Sequence, residues 1–202
     1  MNFFMQGMTY EIEFVPVDTT QQKVVYEDHS VTVETVPLRH RVPCCGYIFR
    51  EKPTLPHIRR DMIDYYGISL SQINNIKNGA DWTTPEGDIV PNSRLVEPAD
   101  APRSYAYCSD TCYLPDLYER VKDVTVLYHE STYTSENEDR AKIYYHSTAR
   151  QAALVAQKAG AGRLLLGHYS ARYNNENVLL EEAKAVFPES YLSQEGMVFE
   201  VK

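Results

Sequence analysis

The chain has 202 residues, of which 43% are hydrophobic, and it carries a formal net charge of -8 at neutral pH. A chain of this length can bury a core of its own, so one domain is the natural count. The negative charge excludes an indiscriminate nucleic-acid coat, because such binding depends on neutralising phosphates; it leaves room for RNA bound by a local patch.

Targeting signals are lacking in the sequence as it stands. No apolar run approaches the roughly 18 residues of a membrane-spanning helix. The opening segment MNFFMQGMTYEIEF has neither the basic start nor the long apolar stretch of a signal peptide, and it is typical of a run from a helix into a strand. We therefore expect a soluble cytoplasmic protein.

The cysteines give no sign of a disulfide framework. They occur as Cys44 and Cys45, and as Cys108 and Cys112. These spacings fit neither a zinc ribbon nor a set of disulfides. We interpret them as reduced thiols in the core or near a site.

The first part of the chain predicts a meander of strands. Segments rich in Val, Thr, Tyr and Phe indicate strands at 10–17, 23–27, 31–37 and 46–50. The composition and pattern change in residues 51–96, which contain several prolines, two helix-like runs at 57–66 and 70–78, and a turn at Pro85, Glu86 and Gly87. This segment predicts an insertion packed on the surface and not a part of the sheet.

After Pro102 the pattern becomes that of an α/β protein. Strands are expected at 104–108, 124–128 and 163–166, with helices between them. These strands are apolar on both faces, as in a sheet that is covered on both sides. The predicted fold class is therefore α/β, in a single domain.

Three short histidine motifs lie between Tyr128 and Tyr173, centred on His129, His146 and His168. The helix predicted after His146 has Ser147 or Thr148 as N-cap. A phosphate could bind beside His146, because the free N–H groups of a helix N-terminus favour an anion. The alternative is that the Ser-Thr pair is only a cap and that His146 is a neighbour with structural hydrogen bonds.

Four polar residues are placed just beyond predicted strand ends: His40, Asp110, His129 and His168. In layered α/β sheets, functional groups gather beyond the carboxyl ends of strands. Imidazole and carboxylate groups together make a workable zinc set, although each residue alone could have a structural role. The remaining histidines, His29 and His57, are expected to be structural.

Six motifs, in order, resemble the second half of ribonuclease Z, the tRNA 3′-processing endonuclease of the metallo-β-lactamase superfamily. They lie around His40, at Gly46 to Phe49, at Tyr107 to Thr111, at His129 to Thr132, at His146 to Ala149 and at Gly167 to Tyr173. The resemblance covers nearly the whole chain. It implies a metallo-β-lactamase-type αββα sandwich, here as an N-terminally truncated fold with an inserted arm.

The resemblance also implies roles for single residues. His40, Asp110 and His168 match zinc ligands, while His146 matches a proton donor to the leaving 3′-oxygen and Glu130 the carboxylate that orients it. Contact with substrate is expected from four further residues: Arg172, Ser147, Thr148 and His129. Two zinc ions per full-length subunit, precursor tRNA as substrate and a homodimer are also implied.

Residues 51–96 fall where the family inserts its tRNA-binding arm, which makes Arg59, Arg60 and Lys77 candidates for contacts with the tRNA backbone. The alternative is an ordinary solvated face, because the segment also contains several aspartates. The Gly-Pro element of many bacterial relatives is not present in the segment, so its grip on tRNA is expected to differ.

The central His-x-His-x-Asp-His motif of the superfamily does not occur in this sequence. We expect the chain to be either a fragment of an enzyme of about 300 residues or a half protein without catalysis, and we favour the fragment. The parent protein would be a zinc-dependent endoribonuclease that removes the 3′ trailer of precursor tRNA, and the chain alone would be inactive or nearly so. The alternatives are a noncatalytic assembly module and another phosphodiesterase of the superfamily.

Overall fold

The computed structural model describes residues 9–202. The strands are β1 (Val24–Glu27), β2 (Val31–Pro37), β3 (Cys45–Glu51), β4 (His57–Ile58), β5 (Trp82–Thr83), β6 (Ile89–Val90), β7 (Val96–Glu97), β8 (Ser104–Cys108), β9 (Val126–Glu130), β10 (Arg163–Gly167) and β11 (Ser190–Leu192). The helices are α1 (Arg60–Tyr66), α2 (Leu70–Lys77), α3 (Asn92–Leu95), α4 (Leu117–Arg120), α5 (Glu138–Tyr144), α6 (Ala149–Ala159) and α7 (Asn177–Lys184). Among these helices none is long and apolar enough to span a bilayer.

One seven-stranded mixed sheet organises the fold, in the order β1-β2-β3-β8-β9-β10-β11. The pairs from β1 to β8 are antiparallel, and the pairs from β8 to β11 are parallel. The strands predicted at 31–37 and 104–108 have the observed bounds of β2 and β8. The strands predicted at 23–27, 46–50, 124–128 and 163–166 shift by one to two residues at their ends, and this shift becomes important at β9.

The strand predicted at 10–17 is wrong, because residues 11–18 have no regular structure and Phe14 and Val15 are exposed. The alternating pattern is present there, but no strand in residues 9–202 pairs with it, and a strand needs a partner for its backbone hydrogen bonds. The first eight residues of the predicted helix-to-strand run lie outside the described part of the chain.

Helices α4, α6 and α7 cover one face of the sheet and form the main core with it. Ile48, Ala106, Leu127 and Leu164 lie side by side across four neighbouring strands on that face and have no exposed surface. Helix α6 contributes a stripe of buried alanines, which allows it to lie close to the sheet.

The opposite face of the sheet carries two rows of aromatic residues. Tyr47, Tyr107, Tyr128 and Tyr191 fall in one row with Leu165, and a second row contains Phe49 and Tyr105. Phe49 and Tyr107 are 41% and 40% exposed, so β3 and β8 are open on this face. The prediction of strands covered on both faces is therefore wrong for β8, whereas β10 is buried on both faces. The described residues thus form one sheet layer and one helix layer of the expected sandwich. We refer to Tyr47, Phe49, Tyr105, Tyr107 and Tyr128 as the aromatic face.

Residues 51–96 have a small core of their own, built from Ile68, Ile76, Val90 and Leu95. The predicted helices correspond to α1 and α2, which begin and end within the predicted ranges. The segment also contains two two-stranded sheets, β4-β7 and β5-β6, which the sequence did not predict and which are separate from the main sheet.

Candidate active site

Four strand ends bring the candidate residues to one edge of the sheet. Strands β8, β9 and β10 are parallel, and β2 runs in the same direction because two antiparallel pairings separate it from β8. His40, Asp110 and His168 therefore follow strands at the same edge, as the sequence predicts, and Glu130 ends β9 there in place of the predicted His129.

Two overlapping groups of donor atoms at this edge could hold a metal ion. One consists of His40, Asp110 and His146, the other of Glu130, His146 and His168, with the donor atoms of each group within 4.8 Å of one another. His168 Nε2 and Asp110 Oδ1 are 3.1 Å apart. The structure thus brings the three predicted metal ligands together with the predicted proton donor.

The donor set fits zinc by its chemistry. Imidazole nitrogen and carboxylate oxygen are ordinary zinc ligands. His40 Nδ1 lies 3.0 Å from the carbonyl oxygen of Tyr145, and His168 Nδ1 lies 2.9 Å from Thr132 Oγ1. A hydrogen bond at one ring nitrogen orients a histidine and leaves the other nitrogen for a metal. Three side chains are nevertheless few for two metal ions.

Backbone strain is concentrated at this edge. Asp110 and His168 both have φ of 58°, and Tyr145 has φ of 62°. The left-handed region costs a non-glycine residue about 1–2 kcal/mol, so the surrounding structure must impose it. Tyr145 was not predicted as a site residue; its position at the C-cap of α5 turns its carbonyl oxygen toward His40.

Glu130 is fully buried, and four donors saturate its carboxylate. Oε1 accepts from Thr111 N at 2.6 Å and from His146 Nδ1 at 2.9 Å. Oε2 accepts from Thr132 Oγ1 at 2.6 Å and from Ser147 N at 3.0 Å. Burial alone would raise the pKa of Glu130, but the hydrogen bonds from His146, Ser147 and Thr132 outweigh it and lower the pKa.

His146 is the other half of this pair. Its hydrogen bond to Glu130 raises the pKa of the imidazole, against the opposing effect of desolvation, and the charges of Glu130 and Asp110 add to the increase. The side chain keeps 13% exposure, and it lines a cavity of about 330 Å³ together with Arg39, Tyr113 and Tyr145. A protonated imidazole that is bonded to a carboxylate on one side and exposed on the other can donate a proton to a substrate.

His129, Ser147 and Thr148 do not present their side chains to a substrate, which corrects their predicted role. Strand β9 runs to Glu130, so His129 lies within it and points into the core, because neighbouring strand residues face opposite ways. Its Nδ1 is 2.7 Å from the carbonyl oxygen of Glu130, and burial lowers its pKa. Ser147 donates to the carbonyl oxygen of Thr111, and Thr148 closes a capping box with Gln151 on α6.

Arg172 is exposed and close to the site. Its guanidinium lies 5.3 Å from the centre of the Tyr133 ring, and Nη1 donates to Asn137 Oδ1 at 3.2 Å. These contacts hold the side chain without using all its donors, so it stays available for a phosphate.

The basic residues of the insertion have different surroundings. Arg59 forms an ion pair with Asp61 at 2.8 Å, which reduces the charge it offers to RNA. Arg60 is exposed, and Lys77 lines a cleft of about 1030 Å³ between the insertion and the edge of the main sheet. The three residues thus differ in their exposure and in their contacts with carboxylates.

Thr111 and Thr132 are functional neighbours that the sequence reasoning missed. Both lie in motifs that resemble ribonuclease Z: Thr111 directly follows Asp110, and Thr132 lies two residues after Glu130. The spacing of Thr132 could have predicted this contact, because residues two apart in an extended chain place their side chains on the same face.

No family model matches the chain, but its sequence is similar to that of curated ribonuclease Z proteins. Ribonuclease Z of Bacteroides fragilis is 49% identical over 197 residues, which are 98% of this chain and 65% of that protein. Ribonuclease Z of Phocaeicola vulgatus is 47% identical over 202 residues, again 65% of its length. The chain thus spans about two thirds or slightly less of these relatives.

Solved structures support the fold. A metallo-β-lactamase fold protein from Bacillus subtilis matches with a TM-score of 0.58 and 17% identity, over 92% of this chain and 55% of that one. The short form of human tRNase Z matches with a TM-score of 0.51 and 20% identity, over 91% of this chain and 48% of that one. By sequence, the chain is therefore similar to ribonuclease Z proteins over the part of them that it spans, and its fold is that of metallo-β-lactamase fold proteins.

Proposed function

We propose that the protein containing this chain is a zinc-dependent endoribonuclease that removes the 3′ trailer of precursor tRNA. The observation that carries the proposal is the buried Glu130 with His146 at 2.9 Å, placed next to the cluster of His40, Asp110 and His168. The ribonuclease Z relatives support the same reading. Cytoplasmic localisation and a homodimer are part of the proposal.

In this proposal His40, Asp110 and His168 hold zinc, and the part of the relatives beyond this chain supplies the remaining ligands of a pair. Zinc, when bound, neutralises phosphate charge and provides an activated water. His146 donates its proton to the leaving 3′-oxygen, and Glu130 keeps the ring oriented and charged. Arg172 binds a phosphate near the cut.

Residues 51–96 are proposed as a tRNA-binding arm that reaches across a homodimer to tRNA on the partner. Arg60 and Lys77 would touch the backbone, while Arg59 would contribute less because Asp61 pairs with it.

The test uses the complete polypeptide, in which this chain is joined to the remaining third found in its relatives. His146→Ala should lower precursor-tRNA cleavage by roughly 100-fold or more. His29→Ala, which removes an exposed histidine in a turn, should leave cleavage unchanged. An unchanged rate for His146→Ala would remove the proton-donor assignment.

The 202-residue chain alone is proposed to be inactive or nearly so, since it offers three side chains to metal sites that need about twice as many. Cleavage of precursor tRNA by the purified chain, abolished by chelation, would contradict this. Comparison with a small phosphodiester separates a tRNA enzyme from a general phosphodiesterase of the same fold.

The aromatic face supports a second candidate, an assembly module that binds a further protein layer. Tyr107 and Tyr128 stack at 4.7 Å on this face, and Phe49 and Tyr107 remain substantially exposed. Contiguous apolar surface of this kind marks an interface. A concentration-dependent dimer of the chain that Tyr107→Thr dissociates would favour this candidate; a monomer at all concentrations would exclude self-assembly.

A further inference from the structure

A buried hydroxyl joins the metal-binding and proton-donating parts of the site. Thr132 lies two residues beyond the end of β9 and is only 6% exposed. Its Oγ1 lies 2.6 Å from Glu130 Oε2, 2.9 Å from His168 Nδ1 and 3.0 Å from the carbonyl oxygen of His168. It therefore touches both the carboxylate that holds His146 and a predicted zinc ligand.

Counting protons fixes the direction of these contacts. A threonine hydroxyl has one proton to give and two lone pairs to accept with. An ionised carboxylate at 2.6 Å is a better acceptor than a neutral carbonyl, so the proton of Thr132 goes to Glu130. Toward His168 the same oxygen can then only accept, which places a proton on His168 Nδ1 and makes Nε2 the nitrogen available to a metal.

The other ring nitrogen has a defined neighbour. His168 Nε2 lies 3.1 Å from Asp110 Oδ1. A metal ion bound here would meet an imidazole nitrogen and a carboxylate oxygen together. The tautomer set by Thr132 is thus the one that a metal ligand requires.

We infer that Thr132 is a positioning residue that sets the tautomer of His168 through the carboxylate that also orients His146. In this series of hydrogen bonds, His168 Nδ1 donates to Thr132 Oγ1, and Thr132 Oγ1 donates to Glu130 Oε2. Glu130 also accepts a hydrogen bond from His146 Nδ1 through Oε1. The inference rests on the proposed function for its catalytic meaning, but the tautomer itself does not depend on any activity.

The first experiment records long-range ¹H–¹⁵N correlations of the His168 ring in the zinc-free chain across a range of pH. Wild type and Thr132→Ser, which keeps the hydroxyl, should show Nδ1–H. Thr132→Val, which has the same shape without the hydroxyl, should lose this preference. A wild-type His168 with the proton on Nε2 overturns the inference even if no variant folds, and so does an unchanged tautomer in Thr132→Val.

The second experiment measures zinc affinity of the three proteins by titration calorimetry. Loss of a hydrogen bond behind a metal ligand weakens binding by about 10–100-fold, which is expected for Thr132→Val, with recovery in Thr132→Ser. A purely structural threonine would show equal affinity in both variants, and that result would contradict the inference. If the tautomer and affinity behave as expected while the complete polypeptide fails to cleave tRNA, the proposed function fails and the role of Thr132 stands.

Discussion

Replacing Glu130 by Gln should destabilise the chain far more than the loss of one oxygen would indicate. The carboxylate is fully buried and accepts from two rigid backbone N–H groups, one on each oxygen, those of Thr111 and Ser147. A Gln side chain has only one acceptor oxygen. In either orientation its NH₂ group faces a backbone N–H that cannot turn away, so one buried donor is left without a partner.

The magnitude follows from these contacts. A buried unsatisfied donor costs about 1–3 kcal/mol, and a hydrogen bond to a charged group contributes about 1.5–3 kcal/mol. We therefore expect the free energy of unfolding to fall by roughly 3–5 kcal/mol, the range for breaking a buried charged pair. Urea unfolding of the 202-residue chain measures this. The control is Glu138→Gln, which breaks the exposed pair with Lys142 at 3.2 Å and removes a charge from the first turn of α5; it should cost about 1 kcal/mol at most.

The difference between wild type and Glu130→Gln should also depend on pH. Because the pKa of Glu130 is lowered in the folded state, its stabilisation is present above the unfolded value of about 4.3 and is lost as pH falls through the folded pKa. Because the pKa of His146 is raised, its contribution is present below about 6.5 and is lost as pH rises through the folded pKa. The gap should therefore be widest between these limits. A loss below about 1 kcal/mol, or one that is the same at every pH, would refute the reasoning.

Three further predictions concern the sheet, helix α6 and the insertion. Gly46→Ala would place a methyl group against the backbone carbonyl of Tyr107 on the neighbouring strand, and thermal denaturation should show a loss of about 1–3 kcal/mol; an unchanged midpoint would mean that β3 and β8 are not so closely paired. Thr148→Ala removes the capping box of α6 and should cost about 0.5–2 kcal/mol in urea unfolding, whereas Thr148→Ser should retain most of it; equal losses in both variants would argue against a capping role. In the complete polypeptide, Lys77→Ala should reduce the slope of log affinity for tRNA against log salt concentration by about 1. Arg59→Ala should reduce it by less, because Asp61 already pairs with this residue. Slopes equal to that of the wild type in both variants would show that these residues do not contact tRNA.

Local patterns in the sequence determined much of this protein. β-branched and aromatic runs placed β2 and β8, and the Ser-Thr pair with Gly160 bounded α6. The strand-end positions of His40, Asp110 and His168 depend only on where strands stop, and the parallel order of the sheet brings them together. The motif resemblance to ribonuclease Z was confirmed by the relatives.

Other features were decided only by tertiary structure. Strand β9 extends two residues beyond its predicted end, and because side chains alternate along a strand, this sends His129 into the core and Glu130 into the site. The four donors on Glu130 come from segments up to 19 residues away, and no local spacing specifies that they meet. The left-handed conformations of Asp110, Tyr145 and His168 are likewise imposed on residues that do not favour them. A sequence pattern records the preferences of neighbours along the chain, whereas closure of a site depends on long-range packing strong enough to override those preferences.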